Sequence, residues 1–144
     1  MQSTSLILSK PSAGWLPVEI KVNGFQLTLD ASDLGVNVID QLAEMVAQLA
    51  EGKAAQCYFY LEPEAYILKV EPILNLAVLQ IQFVEDFNNQ DISTTETKLQ
   101  TEINLSQFQT SLRNALRSFL DFKYGSEDWP APEKNALLSR ILNS

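Results

Sequence analysis

The sequence predicts an α+β fold in which one mostly antiparallel sheet, of about five to seven strands, carries two long helices on one face and is followed by a short C-terminal helix. Three observations predict it: a sharply patterned hairpin, an alternating run long enough for three strands, and two segments with apolar residues at helical spacing. Strands that bury one face and helices that bury one stripe pack most simply as a two-layer sandwich. Because the chain has 144 residues, we expect a single domain over residues 1–144.

An N-terminal strand and then a hairpin are the first predicted elements. Within "VEIKVNGFQLTL", Asn23-Gly24 favours a two-residue type I′ turn, and apolar residues alternate with polar ones on both sides of it. The turn sets a register of three apolar pairs, which are Val22 with Phe25, Ile20 with Leu27, and Val18 with Leu29. All six residues then lie on one face, so we expect a half-buried antiparallel hairpin.

Three helices are predicted from apolar periodicity and from capping residues. The first follows Asn37 and ends near Gly52, and the second covers most of "SQFQTSLRNALRSFLDFKYG". A short C-terminal helix is predicted from Pro132 to Leu142, and Trp129, in the loop before it, is expected to dock on the core. The expected core stripes of the two long helices are Val38, Ile39, Leu42, Met45, Val46 and Leu49, and Phe108, Leu112, Ala115, Leu116, Phe119 and Phe122.

A three-stranded meander is predicted between Gln56 and Phe83. Four-residue turns at 62–65 and 72–75 pair Phe59 with Leu68 and Val70 with Ala77, and place the apolar residues on one face. The polar segment that follows, Glu85–Glu102, begins as a loop. Its second half alternates Thr97, Leu99, Thr101 and Ile103, which is compatible with a short edge strand, and the sequence alone leaves strand and loop open for residues 86–103.

The charge balance excludes several classes of partner. Ten basic and 18 acidic residues give a net charge of −8, whereas nucleic acids and anionic membranes require clustered Lys and Arg. A basic protein partner would be attracted instead. The N-terminus lacks the pattern of a signal peptide, and the run Ile73–Val84 is too short and too polar to span a bilayer. We therefore expect a soluble, cytoplasmic protein.

Most catalytic chemistries lack their usual residues here. The sequence contains no histidine, no nucleotide-binding glycine motif and no zinc-type ligand cluster, and its single cysteine, Cys57, falls on the buried side of a strand. We expect no cofactor, no metal and no enzymatic activity. Glu62 and Glu64 could form an acid/base pair, but their place beside Pro63 favours a solvated turn. The alternative is an enzyme or small-ligand carrier with a carboxylate-based pocket.

The outward face of the meander is the candidate partner surface. Tyrosines with apolar neighbours and few charges are typical of protein interfaces, although tyrosines are also common on solvated strands. The candidate residues are Tyr58, Tyr60, Ile67, Lys69 and Val78. A second candidate is the acidic segment Glu85–Glu102. Either surface would serve a protein partner, including a second copy of the chain in a homodimer.

These features together predict a small, non-catalytic, protein-binding protein: an inhibitor, an immunity-type protein or an assembly adaptor. In size, acidity and element order the chain resembles the immunity proteins of bacterial toxin systems. The resemblance is one of class, because no motif carries it. It implies a soluble protein that acts by binding another protein.

Overall fold

The computed structural model describes residues 3–89 and 93–143, and within them the chain has an α+β architecture of two antiparallel sheets and three α-helices. The first sheet contains β1 (Thr4–Leu8), β2 (Trp15–Val22) and β3 (Phe25–Ser32). The second sheet contains β4 (Ala55–Tyr60), β5 (Ala65–Ile73), β6 (Leu76–Val84) and β7 (Thr95–Asn104). The helices are α1 (Val38–Ala50), α2 (Leu105–Leu120) and α3 (Asn135–Leu142).

The α+β class is confirmed, but the prediction of one continuous sheet is wrong. In the described residues the strands follow the order β1-β2-β3 in one sheet and β4-β5-β6-β7 in the other. The physical reason lies at the edge of β4, where the side chain of Gln41 from α1 occupies the backbone groups that a neighbouring strand would need. Two long helices, α1 and α2, and a shorter α3 agree with the predicted helices.

The first hairpin has the predicted register. Val22 pairs with Phe25 across the turn at Asn23-Gly24, and the ladder continues without interruption to Trp15 and Ser32. Asn23 and Gly24 both have positive φ, 50° and 89°, as a type I′ turn requires. Local turn chemistry therefore determined this register.

The meander is confirmed as three strands, but its predicted register is wrong by two residues at both turns. Phe59 pairs with Tyr66 rather than Leu68, and Ala77 pairs with Pro72 rather than Val70. The β5–β6 connection is two residues shorter than predicted, since Ile73 pairs with Leu76. The β4–β5 connection keeps its four residues but lies one position earlier, since Tyr60 pairs with Ala65. A shift of two residues returns every side chain to the same face, so alternation alone does not distinguish the two registers.

The segment after the meander contains a strand that is longer than predicted. A single 3₁₀ turn at Phe87–Asn89 precedes β7, which pairs with β6 along the edge of the second sheet. The part of the predicted loop formed by residues 90–92 lies outside the described residues. The second half of the acidic segment is therefore a strand of ten residues.

The helix starts agree with capping chemistry only in part. Asn37 caps α1 as predicted, because its Oδ1 accepts a hydrogen bond from the Ile39 amide at 2.9 Å. α3 begins at Asn135, later than the predicted start at Pro132. The backbone amides of Glu133 and Lys134, which lead into α3, donate instead to the carboxylate of Asp40.

The buried apolar side chains of both sheets and all three described helices form one core cluster. It contains every core residue that the sequence predicts from the meander and from the centres of the two long helices. These are Phe59, Leu68, Leu79, Ile81, Leu42, Val46, Leu112, Leu116 and Phe119. The prediction of which faces are buried is thus confirmed for these nine residues, even where the register is not. Two residues differ from it, since Phe122 is only half-buried and Ile67, predicted to face outward, is buried.

Candidate functional site

An open groove with a volume of about 600 Å³ lies beside the first residues of β4. One wall is the polar side of α1, where Gln41, Glu44 and Gln48 lie three and four positions apart and therefore on one helix face. The other wall is the outward face of the second sheet. The groove thus lies at the corner between a helix and the sheet edge beside it.

A row of four polar side chains crosses the second sheet at the groove. Strand pairing places Gln56 beside Lys69, Lys69 beside Gln80, and Gln80 beside Gln100. All four line the groove, and Gln80 Nε2 donates to Gln100 Oε1 at 3.2 Å. Apolar groups also line the groove, namely Val36, Ala54, Ala55, Val70 and Val78. The lining thus combines hydrogen-bonding amides with small apolar patches.

Three carboxylates line the groove, and the protein itself engages two of them. Asp40 is buried and accepts hydrogen bonds from the amides of Glu133, at 3.0 Å, and Lys134, at 2.9 Å. Glu44 forms an ion pair with Lys134 Nζ at 3.3 Å. Glu71 is exposed on the sheet wall. The groove therefore differs from a pocket in which free carboxylates converge on a substrate.

Gln41 joins α1 to the edge of β4 and so shapes the groove. Its Oε1 accepts from the Tyr58 amide at 2.9 Å, and its Nε2 donates to the Tyr58 carbonyl and to the Val36 carbonyl, both at 3.1 Å. The Val36 amide in turn donates to the Tyr58 hydroxyl at 3.0 Å. The Gln41 amide thus makes the two hydrogen bonds that a neighbouring strand would make.

Asn37 and Trp129 fasten the segment before α3 across the start of α1. Asn37 Oδ1 accepts from Trp129 Nε1 at 3.0 Å as well as capping its own helix, and Asn37 Nδ2 donates to the Pro130 carbonyl at 3.1 Å. The expectation that Trp129 docks on the core is confirmed, since its side chain is 1% exposed. Together with Asp40, these contacts place Lys134 at the groove.

Asp40 and Gln41 were not predicted as site residues. Both flank the apolar stripe of α1, where periodicity treats them as ordinary surface positions. Asp40 is buried by contact with Glu133 and Lys134, which lie 93 and 94 positions further along the chain. No local pattern in the sequence signals such a contact.

The predicted partner surface is divided between two environments. Tyr58 and Tyr60 pack against the ring of Phe87, with centroid separations of 4.5 and 6.1 Å, and Asn88 Nδ2 donates to the Tyr60 hydroxyl. Ile67, on the same face, is buried. The other two candidates, Lys69 and Val78, line the groove. Of the five predicted residues, these two line this groove, and their role in binding a partner stays a prediction.

The remaining sequence candidates lie apart from the groove lining. Cys57 is completely buried, and burial raises the pKa of its thiol, so it remains protonated and unreactive. Glu62 lies in the exposed β4–β5 turn and Glu64 is half-buried beside it. In the acidic segment, Asp86 accepts hydrogen bonds from its neighbours Asn88 and Asn89. Among the described residues, no group of three or more His, Cys, Asp or Glu side chains is placed to hold a metal ion.

Comparison with known proteins gives no relative from which a function could be transferred, since no family model, curated protein or solved structure matches the chain. In the two described ranges, no helix has both the length and the apolar character needed to cross a membrane. The function therefore has to be inferred from the geometry of the groove.

Proposed function

We propose that this chain is a non-catalytic binding protein whose groove beside β4 holds an extended segment of a protein partner. The observation that carries the proposal is the row of Gln56, Lys69, Gln80 and Gln100 across the second sheet, opposite the polar side of α1. The protein would act as an inhibitor, an immunity-type protein or an assembly adaptor by capturing that segment.

Side-chain amides suit an extended peptide because each one donates and accepts. A glutamine amide offers two N–H donors and a carbonyl acceptor, so it can bind either polar group of a peptide backbone. Gln48 and Gln56 lie on two sides of the groove, and their side chains bond to no other described residue. Val78 and Ala55, between the amides, offer contact to small apolar side chains of the partner.

The net charge of the whole chain favours a partner segment with basic residues, whereas in the groove itself Lys69 offsets Glu71. Glu71 is exposed on the sheet wall, and the chain carries a net charge of −8. Such a charge raises the rate at which a basic partner arrives and lowers it for an acidic one. Because Asp40 and Glu44 already bind groups of the protein itself, the groove is better suited to binding than to acid/base catalysis.

A small-ligand carrier is the second candidate, and the size of the groove is the observation that favours it. A volume of about 600 Å³ lies within the range of roughly 300–1,000 Å³ typical of small-molecule sites. The groove is open along the sheet, whereas small-molecule sites usually enclose most of the ligand. We therefore rank the peptide segment first.

The experiment selects peptides from a random displayed library on the purified chain and measures their dissociation constants by fluorescence anisotropy. Gln80→Ala removes a groove amide, and Gln82→Ala is the matched control, since Gln82 lies on the same strand and the same face but outside the groove lining. We expect Gln80→Ala to weaken binding about 3- to 10-fold, the effect of one lost hydrogen bond. Gln82→Ala should leave binding unchanged.

Two outcomes would contradict the proposal. Selected peptides that bind equally well to wild type and Gln80→Ala would show that the groove is not their site. A screen of small molecules by thermal shift supplies the other test, because stabilisation that disappears in Gln80→Ala, without any peptide binding, would favour the carrier function instead.

A further inference from the structure

The four edge strands of the two sheets differ in how they are protected from pairing with another chain. An exposed edge presents unpaired backbone donors and acceptors, which other strands can use. At β1 the Leu6 amide donates to Ser111 Oγ of α2 at 2.9 Å. At β4 the Gln41 side chain binds both backbone groups of Tyr58. At β7 the exposed charges of Glu96 and Lys98 oppose strand addition.

β3 has the least protection, because over residues 25–30 its one charged side chain is Asp30 and no side chain of another element binds its backbone. The β2–β3 register, closed by the turn at Asn23-Gly24, directs the backbone groups of Phe25, Leu27 and Leu29 towards β2. The amides and carbonyls of the alternate residues, Gln26, Thr28 and Asp30, therefore point away from the sheet. No hydrogen bond to a described residue satisfies them, and this strand contains neither a bulge nor a basic residue.

The open stretch of β3 is limited on both sides by the rest of the fold. At its C-terminal end Ala31 and Ser32 are buried, and the loop that follows is held to β4 through Val36 and Tyr58. At its N-terminal end Asn23 Nδ2 donates to Thr101 Oγ1 and to the Glu102 carbonyl of β7. Only the six residues 25–30 of β3 are therefore accessible to an added strand.

The side chains of this stretch are complementary to themselves when read in the opposite direction. In "QLTLD", residues 26–30, Thr28 lies at the centre, Leu27 and Leu29 flank it, and an amide and a carboxylate lie at the two ends. Gln26, Thr28 and Asp30 are exposed on one face, and Leu27 is half-buried on the other. Such a pattern fits an antiparallel strand of the same sequence.

We propose that the β3 edge pairs antiparallel with β3 of a second copy of this chain, with Thr28 on the two-fold axis. Gln26 then lies opposite Asp30 of the partner subunit and donates an amide hydrogen to its carboxylate, while Leu27 packs beside Leu29 of the partner subunit. In this register Gln26, Thr28 and Asp30, whose amides and carbonyls point away from β2, all form backbone hydrogen bonds to the partner strand. A shift by two residues in either direction loses one of these residue pairs. The two first sheets join into one sheet of six strands.

Sedimentation velocity over the micromolar range tests for the dimer. One strand pair is a small interface, so we expect a weak dimer that forms with rising concentration and doubles the mass of 16.1 kDa. Thr28→Lys places two ammonium groups opposite each other at the axis and should weaken the dimer at least about tenfold. Thr97→Lys is the matched control, because Thr97 is an exposed threonine on the β7 edge.

Disulfide formation tests the register. The Cα atoms of a hydrogen-bonded antiparallel pair lie about 5.5 Å apart, within disulfide range, so Thr28→Cys should crosslink to itself under mild oxidation. Gln26→Cys should not, since its equivalent in the partner subunit lies about 13 Å away along the strand. The native Cys57 does not compete because it is completely buried.

Thr28 and Gln26 both lie on the exposed face of β3, and their substitution leaves the β2–β3 ladder intact. Circular dichroism should therefore show unchanged folding. A wild-type chain that remains monomeric throughout would overturn the proposal. So would a Thr28→Lys variant that dimerises as well as Thr97→Lys, or a Gln26→Cys variant that crosslinks as fast as Thr28→Cys.

Discussion

The two ends of α1 use their polar side chains in opposite ways. At the N-terminal end, Asn37, Asp40 and Gln41 make hydrogen bonds to segments that are distant in sequence or to the edge of β4. In the second half, Gln48 bonds to no other described residue and Glu44 makes one partly exposed ion pair. The difference indicates that the first group maintains the fold, and it is consistent with our proposal that the second half of the helix contacts a ligand.

Burial explains why Asp40, the buried member of the N-terminal group, is so completely bonded. A polar group that loses its water without gaining a partner costs roughly 1–3 kcal/mol, whereas a hydrated side chain costs nothing. Asp40 is 5% exposed, and no buried side-chain nitrogen or oxygen among the described residues lacks a hydrogen-bond partner. Substitutions at the two ends of α1 should therefore differ in which property they change: the free energy of unfolding at one end and ligand binding at the other.

The largest effect is expected at Trp129, which packs over the N-terminal end of α1. Trp129→Ala leaves a cavity and removes the Nε1 hydrogen bond to Asn37, so the free energy of unfolding should fall by about 3–5 kcal/mol. Urea denaturation measures this loss in the free energy of unfolding. The matched control is Trp15→Ala, because Trp15 is 40% exposed and should cost about 1 kcal/mol or less. Similar losses at both tryptophans would show that residues 129–134 are not fastened as described.

A smaller loss is expected at Asp40. Asp40→Ala leaves the amides of Glu133 and Lys134 without their acceptor, so we expect a loss of about 1–3 kcal/mol. Glu44→Ala, one helical turn away, removes only a partly exposed ion pair and should cost about 0–1 kcal/mol. If both variants unfold at the same urea concentration, the proposed difference between the two ends of α1 does not exist.

The sequence predicted the parts of this arrangement that depend on local or periodic patterns. Asn37 was identified as a helix cap, Trp129 as a core residue, and the alternation of the meander gave the correct buried faces. The meander register was not predictable, because a shift of two residues changes no face and neither turn has a sequence as distinctive as Asn23-Gly24.

Sequence patterns could not predict the separation into two sheets or the groove itself, for a different reason. Both depend on where α1 lies relative to β4, and that position is specified by Gln41 and by contacts to residues 129–134. Hydrophobic periodicity describes which side of a helix is buried, but it does not describe which strand edge the helix covers. Lys69 and Val78 were predicted as surface residues, yet their common groove with α1 could not be inferred.

The smallest effect on stability, and the most local one, is expected at Gln41, the last member of the N-terminal group. Gln41→Ala removes the acceptor of the Tyr58 amide and the donor to its carbonyl, while Gln48→Ala removes a side chain that bonds to no described residue. Because the β4 edge becomes accessible to water on loss of Gln41, part of the lost bonding is replaced. We therefore expect about 0.5–1.5 kcal/mol for Gln41→Ala and within about 0.5 kcal/mol of wild type for Gln48→Ala.

Amide hydrogen exchange measured by NMR at Tyr58 separates these two variants more sharply than denaturation does. The Tyr58 amide points away from β5 and its hydrogen bond goes to Gln41 Oε1, so local opening in Gln41→Ala should expose it without global unfolding. The Phe59 amide, which the ladder directs to β5, serves as an internal control and should keep its protection in both variants. Rapid exchange at Tyr58 in wild type, or equal exchange in Gln41→Ala and Gln48→Ala, would mean that Gln41 does not seal the β4 edge. The corner that forms the groove would then have to be held by the contacts at Asn37 and Asp40 alone.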